Sequence, residues 1–229
     1  MDKRNVFLNV LFGLFVFIFV ISFSIAIPIF CRFIHTLCIK PLGIVEFLNY
    51  YTGYNYTFED VVEGYNEVLN YCCFYAPFGA GKLLYPEEDI HHFQDCRTLF
   101  TINFVFMLVS LIGIIALIVM EKRKKAISIK PLTYLISGLC TIAILSVLGI
   151  ICAINFDMAF DYFHQLLFPG KLDYFFDPEV NHIILILPVE FFMVCAIVIG
   201  VSILILSGIL IGLFFIKRKK IKKLSTNNA

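Results

Sequence analysis

The stretch LFTINFVFMLVSLIGIIALIVM, residues 99–120, contains no charged residue and is long enough for a helix that crosses a membrane. Such a helix needs roughly 20 apolar residues to cross about 30 Å of hydrocarbon. Three further stretches of the 229-residue chain share this property, at 10–30, 131–156 and 191–216. One such stretch is compatible with a buried core helix, but four are typical of a membrane protein. The sequence therefore predicts an all-α membrane protein with four transmembrane helices, at about residues 6–30, 99–120, 131–156 and 188–216.

The distribution of lysine and arginine predicts the orientation of these helices. Thirteen of the 18 basic residues precede the first helix, fill the turn at 121–130, or follow the fourth helix in the run KRKKIKK (217–223). Positive residues are enriched on the cytoplasmic side of membrane proteins. Both termini and the 121–130 turn are therefore predicted to be cytoplasmic, and segments 31–98 and 157–187 extracytoplasmic. The basic clusters are interpreted as anchors to anionic membrane lipid, and no nucleic-acid partner is expected.

The extracytoplasmic segments are predicted to form a small cap domain outside the membrane. Within the longer segment, apolar residues at helical spacing predict an amphipathic helix over residues 58–73. The residues that set this spacing are Val61, Val62, Tyr65, Val68 and Leu69. The cysteines of the segment show no repeated spacing and define no disulfide pattern. They are Cys31, Cys38, Cys72, Cys73 and Cys96.

The sequence EEDIHHFQD, residues 87–95, places two adjacent histidines and four acids just before the second span. Pro86 suits the first turn of a helix, and the acids that follow it complement the helix dipole. Because nothing from there to residue 120 breaks a helix, the second helix is predicted to begin at about Pro86, outside the membrane. On that helix Glu88, His92 and Asp95 share one face, whereas His91 is rotated by about 100° from His92.

The outer end of the third span carries another histidine close to acids. The sequence INFDMAFDYFHQLLFPG, residues 154–170, is predicted to continue the third helix, with Asp157, Asp161 and His164 on one face. His92 lies seven residues before the apolar part of the second span, and His164 lies eight residues after that of the third. At 1.5 Å per residue, both histidines would lie roughly 10–12 Å beyond the hydrocarbon, at the level of lipid headgroups and glycerol esters.

Three interpretations of these histidines are compatible with the residues. In the simplest, exposed His, Asp and Glu side chains solvate the helix ends; we keep this interpretation for His35 and His182, which have no carboxylate at helical spacing. A divalent-metal site is the second, but HHFQD is not H-E-x-x-H and no third ligand is clearly placed. In the third, one histidine is a general base oriented by a carboxylate, and the other polarises the reacting group. No serine or cysteine lies in a nucleophile motif, so covalent catalysis has no evident nucleophile. The prediction includes no metal and no cofactor.

Glu190 is the one charge that the sequence places within a predicted membrane-spanning segment. It follows Pro188 and precedes 26 uncharged residues, where an ionisable group is costly unless it has a use. Two interpretations stay open. Either the bend at Pro188 turns Glu190 towards the outer water, or the carboxylate faces a cavity between spans two, three and four and holds a histidine or a substrate ammonium.

Four short motifs lie in order along the chain. H-x-x-D falls on His92 and Asp95, F-H-x-x-x-F on residues 163–168, F-D-P on 176–178 and P-x-x-F-F on 188–192. In this order and spacing they resemble the lipoprotein intramolecular transacylase (Lit) family of bacterial membrane proteins, over nearly the whole chain. Two departures are an aliphatic residue in many relatives where Cys96 stands here, and tryptophan near positions 174–175, whereas this chain has no tryptophan.

The resemblance implies a multi-pass acyltransferase of the bacterial cell membrane with an extracytoplasmic active site. The family moves the sn-2 acyl chain of a diacylglyceryl-cysteine lipoprotein to the α-amine of that cysteine, giving the lyso form. The substrate then supplies both nucleophile and ester, so the enzyme needs a base for the ammonium and a donor for the oxyanion. We expect His164 to be the base, because two aspartates share its helical face. The catalytic candidates are His92 and His164, and the supporting candidates are Glu88, Asp95, Asp157, Asp161 and Glu190.

Two other function classes stay open at this level. A tetraspan adhesion or adaptor protein also has a large first and a small second external segment, but its first loop usually carries tryptophan and paired cysteines. A metal-dependent membrane hydrolase is the other. The prediction is the transacylase, with a diacylglyceryl-modified lipoprotein and membrane lipid as its partners.

Overall fold

The computed structural model describes residues 3–123, 128–170 and 180–227, the side chains of residues 88 and 227 excepted. The described residues form nine helices and no strand, so the all-α fold class is confirmed. In order they are α1 (Lys3–Phe30), α2 (Phe33–Ile39), α3 (Ile44–Thr52), α4 (Phe58–Phe74), α5 (Glu87–Lys122), α6 (Pro131–Ile154), α7 (Phe156–Leu167), α8 (His182–Leu185) and α9 (Val189–Asn227). Four of them, α1, α5, α6 and α9, are long and apolar enough to cross a membrane, in agreement with the predicted number of transmembrane helices.

One compact unit combines Met1–Ala26, Asn103–Ile150 and Val198–Ala229. Its apolar core starts from one face of α1, where Phe12, Val16 and Val20 recur every four residues and are buried. Where α6 meets α9, a Cβ on Gly138 would lie 3.1 Å from the Ser207 carbonyl oxygen. Small residues let membrane helices approach closely in this way. The remaining buried residues of this core are Leu117, Ile129, Ile203 and Leu210.

The same unit holds the start of α6 through side chains. The Asn9 side-chain amide donates to the Ser128 carbonyl at 2.9 Å, and its oxygen accepts from the Lys130 backbone at 2.7 Å. The Glu121 carboxylate accepts from the Ile129 backbone at 2.8 Å and pairs with Lys217 at 2.8 Å. Backbone N–H and C=O groups before a helix lack helical partners and need hydrogen bonds from elsewhere. These side-chain contacts supply such bonds at residues 128–130.

The second unit combines Ile27–Ile102 and Ile151–Ile197. The amphipathic helix predicted at 58–73 is confirmed as α4, and four of its five predicted apolar positions are buried, with Val62 half-buried. Thr57 and Asp60 form a capping box at its start. The hydrogen bond from Lys82, whose Nζ lies 2.7 Å from Asp60, holds the pKa of that carboxyl below its usual range. Other fully buried aliphatic residues of this unit include Ile39, Ile44, Leu48, Ile183 and Ile186.

The predicted start of the second long helix at about Pro86 is confirmed, since α5 runs without a break from Glu87 to Lys122. The prediction that the third helix continues past residue 156 is wrong. Asn155 is extended (φ −160°, ψ 105°) and separates α6 from α7, and its side-chain oxygen accepts from the Met158 backbone at 3.0 Å. Asparagine favours such N-cap positions because its side chain competes with helical backbone bonds.

The fourth long helix begins within one residue of the predicted start at about residue 188. The segment before Glu190 forms the separate short helix α8, capped by the Asn181 side chain, and α9 begins at Val189, directly after Pro188. The far end of α9 continues through the basic run to Asn227, because lysine and arginine are good helix formers. Lys171, the 174–175 positions and the F-D-P motif at 176–178 lie outside the described residues.

Candidate active site

His92 lies on the buried face of α5. Its side chain is 6% exposed, whereas the neighbouring His91 is exposed, as the helical rotation between successive residues requires. The imidazole packs on the buried ring of Phe168, with centroids 4.9 Å apart. Its Nε2 lies 3.5 Å from the Cys96 Sγ on the next turn of α5.

His164 lies near the end of α7, and a backbone carbonyl orients it. Its Nδ1 is 2.9 Å from the carbonyl oxygen of Phe160, one turn earlier. A carbonyl can only accept, so Nδ1 carries the proton and the basic lone pair of the neutral ring is on Nε2. The Phe160 ring contacts the imidazole edge-on at 4.3 Å and packs against Phe192 of α9 at 4.9 Å. The His164 imidazole is thus held both at its Nδ1 and at its ring.

The structure brings His92 and His164 together. Their ring centroids are 6.3 Å apart with an interplanar angle of 20°, and Phe168 also contacts His164 at 5.8 Å. The expected route to this arrangement, a continuous helix that lifts His164 above the membrane, is wrong because the chain turns at Asn155. It is α7, a separate helix, that carries His164 to His92.

The two aspartates expected to orient His164 do not do so. Asp157 and Asp161 are exposed on α7, and neither carboxylate makes a hydrogen bond or an ion pair with another described residue. The Phe160 carbonyl takes that role instead. Helical periodicity placed the acids on one side of α7 but did not show which side turns inward.

The acids beside His92 are arranged differently from the expectation. Asp95 is half-buried one turn after His92, while the side chain of Glu88 is outside the described part of the chain. The sequence interpretation missed Asp89, which is 4% exposed and lies three residues before His92. The i, i+3 spacing was the available signal, because residues three apart share a helix face.

Glu190 lies in the first turn of α9 and is exposed. It therefore does not sit inside a membrane-spanning stretch of helix with apolar turns on both sides. Within the described residues its carboxylate pairs with no histidine, so the interpretation in which Glu190 holds a histidine finds no support there.

The remaining two buried histidines hold the second unit together. His35 was expected to be exposed but is fully buried; its Nε2 donates to the Ile186 carbonyl at 2.8 Å, and its ring stacks on Tyr65 at 3.8 Å. Burial lowers the pKa of His35 to about 4, so the ring is neutral. His182 is also buried, and its Nδ1 lies 2.8 Å from the Tyr56 hydroxyl. The expectation that these two histidines are solvated helix-end residues is wrong.

Comparison with known proteins decides the family. A family model described as lipoprotein intramolecular transacylase Lit matches residues 10–192. The chain belongs to this transacylase family. No curated protein sequence matches it significantly. As a family member it is an enzyme, a multi-pass membrane acyltransferase.

Solved structures show the same fold. The membrane-integral lipoprotein intramolecular transacylase Lit from Bacillus cereus matches with a TM-score of 0.85 and 22% identity, over 96% of this chain and all of that chain. Two structures of the same Bacillus cereus transacylase with one histidine replaced, by arginine or by alanine, match with TM-scores of 0.78 and 0.77. Their identities are 24% and 23%, over 97% and 95% of this chain and 95% and 96% of theirs.

Within the described ranges, no group of three or more His, Cys, Asp or Glu side chains is placed to hold a metal ion. The arrangement that these residues do form is a pair of imidazoles among aromatic rings. Such a pair can accept a proton at one ring and donate a hydrogen bond from the other.

Proposed function

We propose that this transacylase moves the sn-2 acyl chain of a diacylglyceryl-cysteine lipoprotein to the α-amine of the same cysteine. The observation that carries the proposal is the nearly parallel pair of His92 and His164, 6.3 Å between centroids. An intramolecular transfer needs no enzyme nucleophile, because amine and ester belong to one substrate. It needs a base and an oxyanion donor close enough to reach one reacting group.

His164 is the base. Its Nε2 removes a proton from the α-ammonium, because the hydrogen bond from Nδ1 to the Phe160 carbonyl leaves the lone pair on Nε2. The amine then attacks the carbonyl carbon of the sn-2 ester. As the C–O bond of the tetrahedral intermediate breaks, the protonated His164 gives its proton to the departing glycerol oxygen, and the second proton of the attacking nitrogen passes to water. The amide forms, the ester is consumed, and His164 ends in its starting state.

His92 donates a hydrogen bond to the oxyanion that develops on the ester carbonyl. Its buried position on α5, against the Phe168 ring, keeps water away from that oxygen. An electrostatic contact of this kind is stronger where water is excluded. We assign Asp89, Glu88 and Asp95 to the orientation of His92, since they lie within one turn of it on α5.

The exposed acids act by charge. Glu190, in the first turn of α9, and Asp157 and Asp161 on α7 attract the substrate ammonium towards His164. Their exposure limits each to a modest effect, because charges in water are screened.

The active site is extracytoplasmic in this proposal. The charge pattern supports it, since the basic turn and the basic C-terminal run lie at the opposite ends of α5 and α9 from His92 and Glu190. The short helices α2, α3, α4, α7 and α8 of the second unit then form an extracytoplasmic cap.

A synthetic diacylglyceryl-cysteine lipopeptide tests the reaction. Purified full-length protein should convert it to a product of the same mass whose amine is acylated and whose sn-2 hydroxyl is free, as fragment-ion mass spectrometry shows. The matched substrate with an acetylated α-amine should not react. Release of free fatty acid from both substrates would identify a hydrolase and contradict the proposal.

A further inference from the structure

Arg97 lies at the level where membrane phosphates begin. It precedes the charge-free stretch at 99–120 by two residues on α5, so it is about 3 Å from the start of the apolar segment. The headgroup layer lies directly outside the hydrocarbon. The half-buried side chain of Arg97 is therefore positioned to meet lipid headgroups.

Two tyrosines of the α4 end hold the guanidinium. Its central carbon is 4.4 Å from the ring centroid of the buried Tyr71 and 5.1 Å from that of the exposed Tyr75. The Tyr75 hydroxyl bonds to the Thr101 hydroxyl at 3.0 Å, and Thr101 in turn bonds to the Arg97 carbonyl at 2.8 Å. Cation–π contacts fix the plane of a guanidinium without using its N–H groups.

The N–H groups of Arg97 have no protein acceptor in the part of the chain that the structure describes, and no carboxylate pairs with it there. The other arginine of this unit is different, because Arg32 donates to Asn70 at 2.7 Å and to Asn66 at 3.3 Å. A guanidinium presents five donors in a planar fork that matches a phosphate. Arg97 thus offers a pre-oriented fork, whereas Arg32 uses its fork inside the protein.

The backbone at Tyr75 is held in a costly conformation. Tyr75 ends α4 with φ 57°, and it is the one non-glycine residue with positive φ in the described chain. Glycine or asparagine normally occupies such a helix end, because a side chain crowds the backbone there. A costly conformation at an exposed aromatic residue points to a use for its side chain, which here lies against Arg97.

We infer that Arg97, Tyr71 and Tyr75 form a binding site for the phosphate group of a membrane phospholipid. This site goes beyond the proposed function, because the diacylglyceryl-cysteine substrate carries no phosphate. Arg97 donates to the phosphate oxygens, the tyrosine rings hold the guanidinium plane, and the acyl chains follow the apolar surface of α5. The bound lipid is a bilayer component, not a reactant.

A single tryptophan can report on this site, because the chain contains none. Phe74 is exposed and neighbours Tyr75, so Phe74→Trp places the reporter beside the site. The full-length protein in an uncharged detergent is titrated with phosphatidylcholine or with diacylglycerol, both carrying the same brominated acyl chains. We expect phosphatidylcholine to quench the tryptophan at about tenfold lower concentration, the effect of one charge-assisted hydrogen bond. Inorganic phosphate in excess should not relieve the quenching, since the lipid and not the free anion is the ligand.

The variants in this background separate the site from general surface charge. Arg97→Gln should remove the difference between the two lipids, Arg97→Lys should keep part of it, and Lys82→Gln should keep all of it. Lys82 is the matched control because it is exposed in the same unit and paired with Asp60. If Arg97→Gln does not fold, Tyr75→Leu is measured in its place and should weaken phosphatidylcholine quenching alone. Equal quenching by both lipids in the parent, or an unchanged preference in Arg97→Gln, would overturn the assignment.

Discussion

The imidazole rings of His92 and His164 lie nearly parallel, 20° apart, with their centroids separated by 6.3 Å. One ring belongs to a long continuous helix and the other to a short helix that starts after a break. In the proposed mechanism this spacing lets both rings contact one ester of the substrate. The lone pair of the neutral His164 ring is on Nε2, and in the proposed mechanism His164 removes the proton while His92 stabilises the oxyanion.

We expect the break at Asn155 to be needed for the position of His164. Asn155→Leu removes the N-cap of α7 and favours a longer α6, so activity should fall by about 10²-fold, the cost of a misplacement of roughly 1 Å. Asn155→Asp keeps an N-cap acceptor and should retain nearly full activity. Rates of lyso-lipopeptide formation by the purified variants give the comparison. Equal rates for Leu and Asp would show that the cap does not position His164.

The Cys96 thiol should not be needed for activity, but a bulky group attached at this position should block the site. Its Sγ lies 3.5 Å from His92 Nε2, so a bulky maleimide on Cys96 should block the site, whereas Cys96→Val should stay active. The seven other cysteines are also free thiols, so the Cys96→Val protein treated with the same reagent is the control. If both proteins are inhibited equally, the inhibition comes from another cysteine. If untreated Cys96→Val is inactive, the thiol itself takes part in the reaction.

His35 should make stability depend on pH. Burial lowers its pKa from 6.5 to about 4, so the unfolded chain binds this proton more readily than the folded chain between those values. Stability due to the neutral ring is therefore complete above pH 6.5 and is lost as pH falls towards 4, by up to about 1.4 kcal/mol per pH unit.

The His35 prediction is measured as a slope of the thermal unfolding midpoint against pH from 7 to 4.5. His35→Gln keeps a donor for the Ile186 carbonyl but does not titrate in this range, so its slope should be smaller than that of the parent. The comparison uses slopes because loss of the Tyr65 stack lowers the midpoint at every pH. Identical slopes would mean that His35 is not the titrating group.

Glu190 should affect substrate capture more than chemistry. Its carboxylate is exposed in the first turn of α9, where a charge contributes up to about 1 kcal/mol. Glu190→Gln should raise KM by up to about fivefold at low salt, leave kcat unchanged, and lose this effect at high salt. A large fall in kcat at both salt concentrations would instead indicate direct contact with the reacting atoms.

The elements that could be predicted from the sequence are those set by hydrophobicity and periodicity. The four long helices follow from charge-free stretches, and α4 from apolar residues at helical spacing. The same periodicity placed His92 inwards and His91 outwards. Such local patterns are sufficient where the face of a helix alone decides which residues are buried.

The features that the sequence did not predict depend on contacts between distant residues, or on a side chain that competes with the helical backbone for hydrogen bonds. The break at Asn155 was missed because an N-cap asparagine interrupts an apolar pattern that looks continuous. The orientation of His164 by a backbone carbonyl leaves no trace in the residue types, so the nearby aspartates were given that role instead. His35 and His182 lack acids in sequence, yet they are buried by partners more than a hundred residues away.

The pair of histidines is tested most directly by the single-turnover rate of lyso-lipopeptide formation. His92→Ala and His164→Ala should each slow the reaction by about 10²–10⁴-fold, the usual contribution of one acid–base group. His91→Ala is the matched control, since it removes the adjacent but exposed imidazole, and it should react at nearly the parent rate. All three proteins should accumulate normally in the membrane. A parent-like rate for His92→Ala or His164→Ala, or an inactive His91→Ala protein, would contradict the account.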